Sequence, residues 1–202
     1  MIYKDFEQIR LDAFKEIASI ATGNAATSLS ILLGQRVDIT IPGIAVEEVT
    51  SIPTLIGERE KKVTVLNFTI RGQFKGNIMI LFSPSECLGL INMLTGQGQH
   101  DIENLSEMDL SAIKELGNIV VGAYTKVLAE GLGVKVKYSV PAFAYDMLGA
   151  IFDETVACLS SETEKAVVME SEFLIQNKLY RGYLVFILTP LAVKILLKAL
   201  VA

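Results

Sequence analysis

The sequence predicts an α+β fold. It reads as an internally duplicated, pseudo-two-fold domain, with two long matching helices and shorter helices packed on an antiparallel sheet. Three observations predict this. The first is a repeated helix. Leu11-Asp-Ala-Phe-Lys-Glu16-Ile-Ala-Ser19-Ile-Ala-Thr-Gly23-Asn-Ala25 returns 99 residues later as Leu110-Ser-Ala-Ile-Lys-Glu115-Leu-Gly-Asn118-Ile-Val-Val-Gly122-Ala-Tyr124. The second is a strand at the same offset, Val37-Asp-Ile-Thr-Ile-Pro42 against Val136-Lys-Tyr-Ser-Val-Pro141. The third is an apolar strand running into a proline-opened helix, Gly76 to Pro84, echoed by Gly182 to Pro190 at an offset of 106. Three landmarks recurring in one order argue for duplication. The halves, about 1–100 and 101–202, are too apolar to stand apart and should share one core as a single domain.

Each element follows from its pattern. In residues 10–33, Phe14, Ile17, Ala18, Ala21, Ala25, Leu29 and Leu32 recur at helical steps, and Gly34 is a natural stop. Residues 36–42 alternate polar and apolar and end at a proline, as a strand does. Val46 to Ser51 is a weaker strand or loop. Lys62 to Ile70 alternates well, Arg71-Gly72-Gln73 is a turn, and Phe74 to Phe82 is apolar enough for a buried strand. Ser83-Pro84 opens a helix to about Leu94, with proline near N1 where its missing N–H costs nothing. Residues 95–104 form a polar connector at the mid-chain boundary. Ser106 with Asp109 makes a capping box for a helix running to about Glu130, stopped by Gly131 or Gly133. Residues 142–152 are apolar with one acid, Asp146, and read as a short helix whose insertion accounts for the drift in offset from 99 to 106. Ala166 to Ile175 and Leu179 to Leu188 are paired strands joined at Asn177-Lys178, and Thr189-Pro190 opens a final helix. The apolar tail 193–202 should dock on the rest.

Bulk properties exclude several functions. Of 202 residues, 51% are hydrophobic and 20% charged, with a net charge of −5. That supports a sizeable core and argues against disorder. No Lys/Arg cluster points to nucleic acid. No apolar run reaches the roughly 20 residues needed to span a bilayer, and the charged N-terminus is no signal peptide. Cys87 and Cys158, far apart in apolar runs, are expected to be core thiols in a reducing cytoplasm. His100 lies in a polar loop and is expected to be solvated. One His and two Cys at no metal spacing predict no metal site and no cofactor of the chain's own.

The helix face is more informative. At ~100° per residue, with Phe14 and Ile113 at zero, Ile17, Ala21, Ala25, Leu116, Val120 and Tyr124 fall within about 60° of zero. Glu16 and Glu115 fall near 200°, Ser19 and Asn118 near 140°, Gly23 and Gly122 near 180°. Acid, amide or hydroxyl, and glycine therefore form one stripe facing away from the core. A mid-helix glycine costs about 1 kcal/mol against alanine. Accepting that cost twice on an outward face suits the close approach of another chain. A lone Glu with Asn three residues on is ordinary helix surface; the repeat and the glycines make it a candidate site. Its chemistry is limited. Glu and a neutral amide provide no activated nucleophile and no metal cage. An amide can hold a water by donating and accepting at once, and an exposed carboxylate can pair with a partner's lysine.

Glu16-Ile-Ala-Ser19 followed by Ile20-Ala-Thr-Gly-Asn-Ala-Ala, and Glu115-Leu-Gly-Asn118 followed by Ile119-Val-Val-Gly122, resemble the duplicated Glu-x-x-Asn helices of the CheC/CheX/FliY family of chemotaxis phosphatases. The resemblance runs over essentially the whole chain. It implies hydrolysis of the aspartyl phosphate on a CheY-type response regulator, which brings its own Mg²⁺. It also implies that Asn118 orients a water for in-line attack while Glu115 pairs with the regulator's lysine. Ser19 departs from the pattern, so the Glu16/Ser19 site is expected to be weak or inactive, docking without turnover. The resemblance further implies binding of CheD, the receptor deamidase, through Asp146, whose alternative role is a helix cap. The expected protein is a cytoplasmic monomer. A non-catalytic binding module, as in the FliM middle domain, is the competing expectation. Against a switch subunit stands the expectation that no motor-binding domain follows residue 202 and no regulator-binding peptide precedes the first helix.

Overall fold

A computed structural model describes residues 2–72, 75–96, 101–158 and 165–192, with side chains described from residue 15 onward except at 132 and 158. Helix α1 (Ile2–Leu33) leads into strands β1 (Val37–Thr40) and β2 (Ile44–Glu48). A 3-10 turn at Val49–Ser51 and the short helix α2 (Ile52–Ile56) come next, then strands β3 (Lys62–Gly72) and β4 (Gly76–Phe82) and helix α3 (Pro84–Thr95). The second half runs α4 (Glu107–Leu132), β5 (Val136–Tyr138), β6 (Ala142–Met147), α5 (Leu148–Cys158), β7 (Lys165–Ile175) and β8 (Lys178–Leu188). The fold is therefore the expected α+β arrangement of an antiparallel sheet with two long helices.

The strands form one sheet in the order β1-β7-β8-β4-β3-β5, with β2 also pairing β7 and β6 also pairing β3. Every pairing is antiparallel. The order is a palindrome once β1/β5, β7/β3 and β8/β4 are exchanged. At its centre Met79 pairs with Val185, residues 106 apart, so the β4–β8 ladder is symmetric about that pair. Each half gives its first strands to the other: β1 and β2 lie on β7, β5 and β6 on β3.

The central seam is tight. A Cβ on Gly76, whose φ is +158°, would run into the carbonyl oxygen of Ile187. One on Gly182 would lie 2.7 Å from the carbonyl oxygen of Leu81 and 2.6 Å from the Phe82 ring. Leu81 and Ile187 are themselves 106 apart, so the same glycine relieves the same collision on both sides.

Both sheet faces are covered, which is why the central strands are apolar on both sides. In β4, Ile78, Ile80 and Phe82 face a core shared with α1, α3 and α4, while Met79 and Leu81 face a second core shared with α5. In β8, Leu184, Phe186 and Leu188 join the first core, Val185 and Ile187 the second. The two long helices thus lie in one layer on one face. They are tied together by a buried hydrogen bond, 2.8 Å, between the hydroxyls of Thr22 and Tyr124. Burial pushes the Tyr124 phenol up to about 12, against the lowering effect of Thr22.

The helix ends follow the sequence signals. Gly34 and Gly133 both sit at φ +62°, and the N–H groups of Gln35 and Val134 reach back to the carbonyls of Ser30 and Ala129. Ser106 and Asp109 form the complete capping box of α4, worth about 1 kcal/mol. Ser83 caps α3, with proline in its first turn.

Several expectations need correction. Residues 142–152 are not one short helix but β6 followed by α5. Phe143 and Tyr145 are half-buried between exposed neighbours, a period of two that high apolar content masked. Nor is this segment an insertion that sets the offset, since it is the counterpart of β2, the 3-10 turn and α2. The drift to 106 arises largely at the strand connection: residues 71–75 separate Ile70 from its partner Gly76, while residues 172–181 separate Ser171 from Gly182. The segment 46–51 is strand only through Glu48, and α2, opened by Pro53, was not foreseen. The β7–β8 turn falls at Gln176 and Asn177, both at positive φ, one residue earlier than expected. Leu32, placed on the apolar stripe, is 48% exposed. Helix α1 begins well before residue 10. The Cys87 thiol is buried and pushed up to about 11. The side chain of Cys158, His100, and the tail 193–202 lie outside the described residues.

Candidate functional site

Helix α4 carries Glu115, Asn118 and Gly122 on the side away from Ile113, Leu116, Val120 and Tyr124, all buried in the helix-side core. Glu115 is exposed, while Asn118 and Gly122 are half-buried. On α1 the counterparts Glu16, Ser19 and Gly23 are all exposed. Among the described residues, neither the Glu115 carboxylate nor the Asn118 amide has a recorded hydrogen bond or ion pair, so both are available to a second molecule. Because α4 is anchored on the sheet by its apolar stripe and its first turn is fixed by the capping box, the carboxylate and the amide three residues on project from a rigid element at fixed spacing.

What such a pair can do is position. The amide offers a donor and an acceptor, enough to hold one water in a chosen orientation, and the carboxylate attracts a cation. Among the described residues no three His, Cys, Asp or Glu side chains cluster closely enough to hold a metal. A cavity of about 350 Å³ opens elsewhere, lined by Lys61, Leu148, Glu170, Arg181 and Tyr183 among others, and none of the stripe residues borders it.

Two residues escaped the reading of the sequence. Gly117, between Glu115 and Asn118, is buried, and a Cβ there would lie 2.8 Å from Leu66 Cδ1 and 3.1 Å from Phe68 Cζ. It lets α4 settle onto β3, where the first repeat has Ala18. Gly117→Ala gains about 1 kcal/mol of helix propensity but overpacks the core by about 1–3 kcal/mol. The expected result is a lower melting temperature, read by circular dichroism, together with reduced function, because α4 is lifted under the motif.

The second is Tyr138. The outward glycines are expected to leave bare helix surface for another chain. That holds for Gly23, where a Cβ would meet nothing within 4 Å, and not for Gly122, where it would meet the Tyr138 hydroxyl at 2.9 Å. The signal in the sequence was the mismatch of Tyr138 with Ile39 at the 99-residue offset.

Asp146 lies on a different element, opposite Val63 at the end of β6. It is exposed, and its Oδ1 accepts the Met147 N–H at 2.7 Å, next to the first residue of α5.

Comparison with known proteins bears on both halves. A model of the CheC-like family matches residues 9–45 and 108–145, taking in both stripes. The chain is 27% identical over 178 residues to the CheY-P phosphatase CheC of Bacillus subtilis, covering 87% of this chain and 85% of that one. Its fold matches FliY of Thermotoga maritima with a TM-score of 0.74 at 24% identity, covering 95% of this chain and 96% of that one. It also matches a chain of the CheX–CheY–BeF3–Mg²⁺ complex of Borrelia burgdorferi, with a TM-score of 0.51 at 17% identity and coverages of 91% and 97%. No described helix is long and apolar enough to cross a membrane.

Proposed function

Because the chain belongs to the CheC-like family, we propose that it hydrolyses the aspartyl phosphate of a CheY-type response regulator. The observation that carries this reading is the outward pair on α4, Glu115 and Asn118, on a rigid helix and without partners among the described residues. The similarity to a CheY-P phosphatase over most of both chains supports it.

In this mechanism the substrate brings the phosphoaspartate and its Mg²⁺, and this chain adds no cofactor. Helix α4 docks over the phosphorylated site. The Glu115 carboxylate pairs with a lysine of the regulator and fixes the register. The Asn118 amide accepts a hydrogen bond from a water and donates one to it, turning an oxygen lone pair toward phosphorus opposite the leaving carboxylate. The water oxygen–phosphorus bond forms, the phosphorus–carboxylate oxygen bond breaks, and the aspartate carboxylate is regenerated. This is catalysis by positioning, in which the orientational entropy of the water is removed before reaction.

We read the chain as one monomeric, cytoplasmic domain of two repeats, 1–100 and 101–202. The first stripe docks the regulator through Glu16 without turnover, because the Ser19 hydroxyl lacks the amide's fixed donor and acceptor. Ser19→Asn is then expected to raise phosphate release per chain by up to about twofold. In an Asn118→Ala background the same change is expected to restore measurable release. Asp146 is the proposed contact for the CheD deamidase.

The test is phosphate release from a phosphorylated CheY-type regulator with Mg²⁺. Acceleration by the wild-type chain is expected, and its absence at saturating protein would overturn the reading. The binding-module reading predicts that absence together with retained binding.

A further inference from the structure

The two stripes differ in more than Ser19 against Asn118. Beside Gly23 lies open space; beside Gly122 lies the Tyr138 hydroxyl, with its Cζ 3.9 Å from where a Cβ would stand. Gly122 follows Asn118 by four residues, one turn along the same stripe. The repeat counterpart of Tyr138 is Ile39, a partly buried residue packed against the helix-side core. Tyr138 is 39% exposed.

Its ring is held from beneath. It stands edge-on to Phe68 with centroids 6.1 Å apart and planes at 65°, and Phe68 is fully buried. The backbone is held as well. Tyr138 pairs with Ile70, the Ser139 N–H donates to the Thr69 carbonyl at 3.0 Å, and the Thr69 N–H donates to Ser139 Oγ at 3.0 Å. The phenol therefore projects over α4 from a fixed base. Among the described residues no hydrogen bond of its hydroxyl is recorded. A two-way hydrogen-bonding group thus stands beside the second stripe and has no equivalent at the first.

We propose that Tyr138 is a docking residue for the phosphorylated regulator. Its hydroxyl hydrogen-bonds a polar group of the regulator's surface bordering the phosphoaspartate, and Gly122 is glycine in order to seat it. This rests on the phosphatase reading of the stripe and adds a determinant that acts at the second repeat alone. The glycine of the first stripe leaves a bare helix surface; the glycine of the second makes room for a side chain that meets the partner.

Tyr138→Phe tests this, because it keeps the ring and its contact with Phe68 and removes only the oxygen. Two readouts are needed: phosphate release against regulator concentration, and affinity for a CheY-type regulator loaded with Mg²⁺ and beryllofluoride. In the Asn118-competent chain, KM and the dissociation constant are expected to rise together by roughly three- to tenfold, with kcat retained and the melting temperature unchanged. Gly122→Ala pushes the phenol aside, and the double variant is expected to bind no worse than Gly122→Ala alone. Unchanged KM and affinity in Tyr138→Phe would overturn the proposal, as would a fall in melting temperature large enough to account for the loss. A wild-type chain that binds the loaded regulator without accelerating phosphate release would overturn the phosphatase reading alone, and the affinity arm would still decide the role of Tyr138.

Discussion

Replacing Asn118 by alanine is expected to remove at least about a hundredfold of the acceleration of phosphate release, the scale of losing one positioned polar group from a reacting centre. The fold should survive. Asn118 is half-buried on the outer side of α4 and has no partner among the described residues, so its truncation leaves none of their buried groups unsatisfied. Docking should also survive, because Glu115 is untouched. The expected signature is a fall in kcat with KM within a few-fold, the pattern for a group that acts in the transition state. Asn24→Ala is the matched control. It removes an exposed amide from α1 that lies off the stripe, and should leave kcat unchanged. Equal loss in the two variants would mean that amides matter here only as surface, and would remove Asn118 from the mechanism.

The largest effect on stability is expected at Gly76→Ala. The added methyl would collide with the Ile187 carbonyl oxygen and lie 3.0 Å from the Leu188 Cα, both backbone atoms of the facing strand. No rotamer can relieve this, and φ of +158° is poor for alanine. A loss of about 3–5 kcal/mol is expected, measured as a lower urea midpoint at unchanged slope. Gly182→Ala meets a phenylalanine ring as well as a carbonyl. Part of that strain can relax through Phe82, so the loss should be smaller. A Gly76→Ala chain as stable as wild type would show that the seam can open.

The sequence made the symmetric part of this molecule legible because symmetry writes itself twice. Gly34 and Gly133, Pro84 and Pro190, and Gly76 and Gly182 are pairs that no single copy would have made persuasive. Capping was equally plain, since Ser106 and Asp109 announce a local hydrogen-bond pattern that needs no tertiary context. The stripe of Glu115 and Asn118 followed from helical geometry. What stayed hidden depends on contacts between distant segments. Gly117 falls near 40° on the wheel, on the core side, but how closely Leu66 and Phe68 approach it is visible only once β3 is placed beneath α4. Tyr138 reads as a strand aromatic until its hydroxyl is seen over Gly122. The segment 142–147 looked helical because Ala142, Ala144 and Met147, all exposed, are apolar, and apolar content there said nothing about which face was wet. Edge pairing with β3, far earlier in the chain, decides the matter. The exchange of β1 and β5 between the halves was equally out of reach, because a strand's pattern records that it is half-covered and not by whom.

That exchange has a consequence for how the chain comes off the ribosome. Strand β1 is complete by Thr40, and its ladder partner spans Lys165–Ile175. At about 5–20 residues per second, β1 waits on the order of ten seconds with its hydrogen-bonding edge unanswered. The β3–β4 pair waits too, since β8, its neighbour at the seam, is made last among the described strands. Once α4 is complete at Leu132, the nascent chain holds two long helices' worth of apolar surface over half a sheet. Growth should then be the period when this protein most needs a chaperone, and a stall between residues 100 and 165 the kind most prone to aggregation.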